Sequence, residues 1–161
     1  EGIASSVAYR AELLGRELGA GVAMASLEGE ASALLWRGVR DVAPFVARAD
    51  RAVWRVSVPP TRGPGLLRDL AARIGAEGYC DWGGGLVWLG VDPAGDAGAA
   101  EIRAAVGQDG HATLVRAPAE IRAAVPVFHP QAPALAALSA RVKRTYDPAG
   151  ILNPGRMVAG A

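Results

Sequence analysis

A single cysteine, Cys80, excludes an internal disulfide and a cysteine-based metal cluster, and it fits a reducing compartment. Histidine is scarce too: His111 and His129 sit in no His-x-x-x-His or Cys-x-x-Cys arrangement, so no metal site is expected. Charge of one sign is lacking, because 17 Lys and Arg face 16 Asp and Glu for a net +1. The basic residues form no stripe, so neither nucleic acid nor an anionic membrane is an expected partner. No apolar run approaches the about 18 residues of a membrane span, and the start shows no basic region leading into an apolar core. Direct membrane insertion and a secretory leader are therefore not expected. Lysine occurs once, at Lys143, and the abundance of Ala and Arg reads as coding bias without chemistry.

What is present suffices for one ordinary domain. At 161 residues, roughly two-thirds of the unfolded surface can be buried without staples. The chain starts at Glu1 without Met and reads as a piece of a longer protein.

Val7, Ala11, Leu14 and Leu18 share one helical face after a Ser5 or Ser6 cap, with the end expected at Gly19 and Gly21. A strand is expected over 22–27. A second helix with Ala31, Leu35, Val39 and Val42 on its apolar face stops before Pro44. Trp54, Val56 and Val58 alternate with Arg55 and Ser57 as a half-buried strand closed by Pro59-Pro60. Pro64 and Gly75 bracket a helix with Leu67, Leu70 and Ile74 inward. Tyr79 to Trp82 and Leu86 to Val91 read as strands across a Gly83-Gly84-Gly85 turn. Asp96 caps a helix carrying Ile102 and Val106, and His111 to Val115 closes the set as a strand.

The resulting order is that of a ferredoxin-like α+β unit, an antiparallel sheet with helices mainly on one face. Residues 3–58 read as a partial further copy of the pattern, giving a ferredoxin-like domain over 1–117 with an incomplete first repeat. After Pro118, repeated prolines suggest a linker-like crossing, and 118–161 then hold a last helix with Leu135, Leu138, Val142 and Tyr146 on one stripe before a turn-rich tail.

Chemistry is thinly signalled. Gly83-Gly84-Gly85 lacks the Lys-Ser/Thr and following helix of a phosphate loop, and Cys80 inside a strand reads as a small packed hydrophobe. Trp82 and Trp88 stand on one face across the hairpin in this reading, either filling the core, the better prior, or flooring a pocket for a planar ring.

The tail is the most specific stretch. Lys143, Tyr146, Asp147, Pro148, Gly150, Ile151, Leu152, Asn153, Pro154, Gly155, Arg156 and Met157 spell a pattern that resembles the C-terminal signature of FAD-linked oxidases of the vanillyl-alcohol oxidase type. The segments around Trp36, Trp54 and Trp82 to Leu89 are similar to the FAD-binding subunit of bacterial glycolate oxidase. That resemblance implies a C-terminal cap joined to an upstream FAD-binding domain, with FAD as cofactor and Asn153, Pro154, Gly155 and Arg156 near the flavin. It further implies a second flavin subunit and an iron-sulfur subunit as partners, and a cytoplasmic location with any membrane association made through the complex. The isolated piece is expected to be colourless and inactive but folded without FAD, with its tail disordered or displaced after Gly150.

Relatives that oxidise 2-hydroxy acids carry an Arg where this chain has Val39, together with a His-rich metal motif and a Glu-His pair that are missing here. A buried carboxylate needs a charge partner and several donors. Arg40, Arg55 or Arg62 are the possible replacements, with Trp82 and Trp88 as aromatic neighbours. A subunit that assists glycolate oxidation is expected; the alternative is a flavin-free ligand-sensing or assembly module, since this scaffold hosts many functions.

Overall fold

The computed structural model describes residues 2–18 and 25–155, in two compact units, Glu1–Arg40 and Asp41–Ala161. The first unit holds α1 (Ala4–Leu18) and α2 (Gly29–Arg40), neither of which buries a residue. The expected helix end at Gly19 and Gly21 lies outside the described residues, as does half of the strand expected over 22–27; 25–28 carry no regular structure. α2 ends at Arg40, short of the expected Val42. Val42 instead takes a left-handed φ of 55°, and Pro44 enters the first turn of α3 (Ala43–Val46). There its missing N–H costs no hydrogen bond.

The second unit runs β1 (Ala52–Ser57), α4 (Gly63–Ile74), β2 (Glu77–Asp81), β3 (Leu86–Val91), α5 (Ala99–Val106) and β4 (His111–Arg116). The sheet order is β2-β3-β1-β4 with every neighbouring pair antiparallel, the ferredoxin-like arrangement expected from the order of elements. Register sorts the side chains. Gly78, Leu89, Trp54 and Leu114 form one cross-strand row on the core face, and Cys80, Val87, Val56 and Ala112 form the next. α4 and α5 cover these rows with Leu66, Leu70, Ile102 and Val106 buried and Leu67 and Ile74 partly so.

Local chemistry sets the helix ends. Gly75 ends α4 in the left-handed conformation, and Asp96 accepts from the amides of Gly98 (2.9 Å) and Ala100 (2.8 Å) to start α5. Arg62 donates to the carbonyls of Ala105 (2.9 Å) and Val106 (3.2 Å), satisfying acceptors that α5 leaves open at its C-terminus.

Trp54 is the centre of the core. Its side chain is fully buried, its Nε1–H donates to Ala97 O at 2.9 Å, and the Arg103 guanidinium lies 5.3 Å from its ring.

The crossing after Pro118 is more ordered than expected. α6 (Ala119–Ala124) places Ile121, with Val125 after it, in the same buried cluster as the sheet, and the Leu114 amide donates to Val127 O at 2.9 Å. A six-residue helix is too short to show a period, which hid it among the prolines. The Ala112 amide donates to His129 Nδ1 (3.3 Å), and burial, Arg103 and His111 all push the His129 pKa down, which keeps that nitrogen an acceptor. α7 (Pro133–Tyr146) follows, with Leu135, Leu138, Val142 and Tyr146 on the expected stripe and half or more exposed.

Candidate functional site

Two places draw together the residues singled out above: the sheet face opposite α4 and α5, and the tail.

On the face opposite α4 and α5, register aligns Tyr79, Trp88, Arg55 and Thr113 in one row across all four strands, and Asp81, Leu86, Ser57 and His111 in the next. Neither Trp82 nor Trp88 belongs to the core, contrary to the favoured expectation. β2 stops at Asp81, whose carboxylate accepts from the Trp82 amide (2.7 Å), and Trp82 opens a short 3-10 turn with φ 51°. Its side chain is 64% exposed, and the Arg55 guanidinium lies 5.5 Å from its ring. Among the described residues Arg55 has no ion-pair partner. Trp88, directly opposite Arg55 on β3, is half-buried on the same face. Arg62 points elsewhere, onto the end of α5, and Arg40 closes α2 in the first unit.

Beside Trp88 lies a shallow pocket of about 140 Å³ lined by Val42, Phe45, Val46, Val53, Val115 and Arg116 as well. Its walls come from α3, folded onto the sheet. Phe45 is 3% exposed, stacks on Tyr79 with ring centroids 6.4 Å apart, and lies where a Cβ on Gly90 would meet its ring at 2.5 Å. Arg116 ties α3 down by donating to the carbonyls of Phe45 (2.7 Å), Val46 (3.2 Å) and Arg48 (2.5 Å). At the strand ends Arg51 pairs with Glu77 at 2.6 Å. Val115 was expected only as a strand end, and nothing local announced that Val42, Phe45 and Val53 would meet it.

Cys80 faces the core, and burial pushes its thiol pKa up, which argues against a nucleophile. No group of His, Cys, Asp and Glu suited to a metal ion occurs among the described residues.

The tail is organised by Asp147, which is 7% exposed. Its carboxylate accepts from Lys143 Nζ (2.7 Å), from the Ile151 amide (2.9 Å) and from the Leu152 amide (3.0 Å), while Lys143 also donates to Leu152 O (3.3 Å). Ile151 and Leu152 are thus held by hydrogen bonds, where a disordered or displaced tail was expected after Gly150. Pro148 and Gly150 bend the chain so that two amides face one carboxylate. Asn153 has φ 47°, and Asn153, Pro154 and Gly155 are exposed; Arg156 lies outside the described residues.

The Lys143 hydrogen bond and the two amides hold the Asp147 pKa below the ordinary carboxylate value of 3.8. A depressed carboxylate pKa gives a contribution that is present in full above that ordinary value and is lost as pH falls through the folded value. The tail should therefore loosen only in acid. Asp147→Asn is expected to speed amide exchange at Ile151 and Leu152 by about tenfold or more at neutral pH while leaving the melting of the sheet unchanged. Unchanged exchange at both amides would show that the carboxylate does not hold the tail.

A ferredoxin-like α+β module with a partly apolar sheet face opposite α4 and α5 and a carboxylate-pinned tail is the class these features define. Residues 129–157 match the family model described as FAD linked oxidases, C-terminal domain. The match runs from His129 through α7 and the tail, and it supports a relation of this stretch to the C-terminal domain of FAD-linked oxidases. Neither the curated proteins nor the solved structures gave a match. No helix among the described residues is long and apolar enough to cross a membrane.

Proposed function

We propose that this chain is the C-terminal cap of a FAD-linked oxidase and works with a FAD-binding domain upstream in the same protein. In its finer form, the protein is the FAD-binding subunit of a glycolate oxidase complex, cytoplasmic and partnered by a second flavin subunit and an iron-sulfur subunit. The observation that carries the reading is the tail: within the matched segment, Lys143, Asp147, Ile151 and Leu152 form one bonded unit that presents Asn153 to Gly155 outward.

An exposed turn fits the edge of a flavin but does not enclose one. Asn153, Pro154, Gly155 and Arg156 would hold that edge, and the remaining contacts fall to the FAD-binding domain. FAD, when bound, supplies the acceptor for the two electrons removed from substrate. This chain's own part is to bind and orient substrate at Arg55, with Trp82 and Trp88 beside it, and to keep water from the site. With Val39 in place of the substrate-gripping Arg of relatives, the finer reading gives this subunit an assisting role in oxidation of a 2-hydroxy acid.

Full-length protein should carry FAD, and Asn153→Ala within it should lower flavin retention without altering the cap's fold, because an exposed tail adds little to core stability. The isolated chain should be colourless, since a few contacts do not offset the entropy of fixing so large a cofactor. Full-length protein devoid of flavin, or an Asn153→Ala variant that retains it as tightly as the unaltered protein, would overturn the reading.

A further inference from the structure

We propose that the sheet face opposite α4 and α5 binds a monocarboxylate with an aromatic or branched aliphatic body, the body in the pocket beside Trp88 and the carboxylate on Arg55. The oxidase reading is needed only to call that ligand a substrate.

The pocket sets the body. Its volume of about 140 Å³ is close to the about 150 Å³ of an apolar protein cavity that takes benzene. Val42, Phe45, Val46, Val53, Trp88 and Val115 surround it with hydrocarbon and an indole. The one charged wall residue, Arg116, turns both terminal nitrogens to main-chain carbonyls of the α3 segment and keeps its Nε buried, so it closes the pocket and does not compete for an anion.

Arg55 sets the head group. It is two residues along β1 from Val53, about 7 Å at strand spacing, and directly opposite Trp88. Trp88 is both a wall of the pocket and the residue across from Arg55, so an acid lying along it has the pocket at one end and Arg55 at the other. No carboxylate of the described residues pairs with Arg55, and its planar fork matches a carboxylate in two parallel hydrogen bonds. The Trp82 ring holds the guanidinium from one side, and Thr113, its opposite number on β4, offers a hydroxyl nearby on the same face. Glycolate, the smallest 2-hydroxy acid, would engage Arg55 and leave the pocket unfilled.

Amide and indole NMR titrations of the 161-residue chain test this with phenylacetate, isovalerate, glycolate and benzyl alcohol as probes. Phenylacetate and isovalerate are expected to shift the Trp88 indole and the Val53 and Val115 amides saturably. Glycolate and benzyl alcohol should bind at least about tenfold more weakly, each lacking one of the two contacts. Arg55→Gln should bring phenylacetate down to the level of benzyl alcohol. Val115→Phe, or Val46→Phe at a wall position 65% exposed, should weaken phenylacetate and leave glycolate unchanged. Equal binding of phenylacetate and benzyl alcohol, no saturable binding of either acid, or phenylacetate binding untouched by Arg55→Gln would overturn the proposal. Because every readout is taken without flavin, such a failure would leave the oxidase reading to its own test in full-length protein.

Discussion

Trp54→Ala is expected to destabilise the second unit by about 3–5 kcal/mol, the cost of emptying a large core site. Trp54 occupies the central strand, is fully buried, and is in touch with both layers: its ring lies under Arg103, and its indole N–H satisfies the otherwise buried carbonyl of Ala97. A domain of this size has roughly 5–15 kcal/mol in hand, so the variant should be largely unfolded on modest warming. Trp54→Phe separates the two contributions. It keeps most of the volume but leaves the Ala97 carbonyl without its donor, and about 1–3 kcal/mol should be lost. Urea unfolding followed by circular dichroism reads both variants. If Trp54→Ala lost less than about 1 kcal/mol, Trp54 would not be the centre of this core.

Phe45→Ala should cost about 3–5 kcal/mol and abolish the pocket, because Phe45 is the nearly buried ring that fastens α3 to the sheet. The same contact is reached from the other side through Gly90. A Cβ there would press on the Phe45 ring at 2.5 Å, so Gly90→Val should expel the ring and forfeit much of its burial, about 1.5–3 kcal/mol. The two changes act on one contact. The double variant should therefore be clearly more stable than the sum of the single effects predicts, a coupling of about 0.5–3 kcal/mol. Additive costs would mean that Gly90 does not make room for Phe45. Phenylacetate binding, measured alongside, should be lost in both single variants while the tail amides of Ile151 and Leu152 keep their protection, since neither contact reaches Asp147.

Period and punctuation made most elements of the second unit legible in advance. Alternation at Trp54, Val56 and Val58, the Pro64 and Gly75 brackets, and the Asp96 cap are properties of a few adjacent residues, and such residues impose their geometry wherever the chain goes. The tail was equally local in its turns. What Asp147 does with those turns was not, because a carboxylate that collects a lysine and two amides exists only once the bend has closed. Helix α6 was missed for want of a full period. The face of each tryptophan was likewise decided in three dimensions: alternation says that Trp54 and Arg55 part company, but only the strand order puts Trp54 beneath two helices and Trp88 with Arg55 on the opposite side. Trp82 left its strand because the turn began one residue early. The pocket depended on tertiary structure most of all, since Phe45 precedes the sheet in sequence and finds Gly90 and Tyr79 only after β1, β2 and β3 have paired. Sequence by itself settled most strands and helices of the second unit, α3 and α6 excepted, a short-range matter of sterics and periodicity. Burial and the meeting of Arg55 with an apolar pocket are long-range packing outcomes, and those the tertiary structure alone decided.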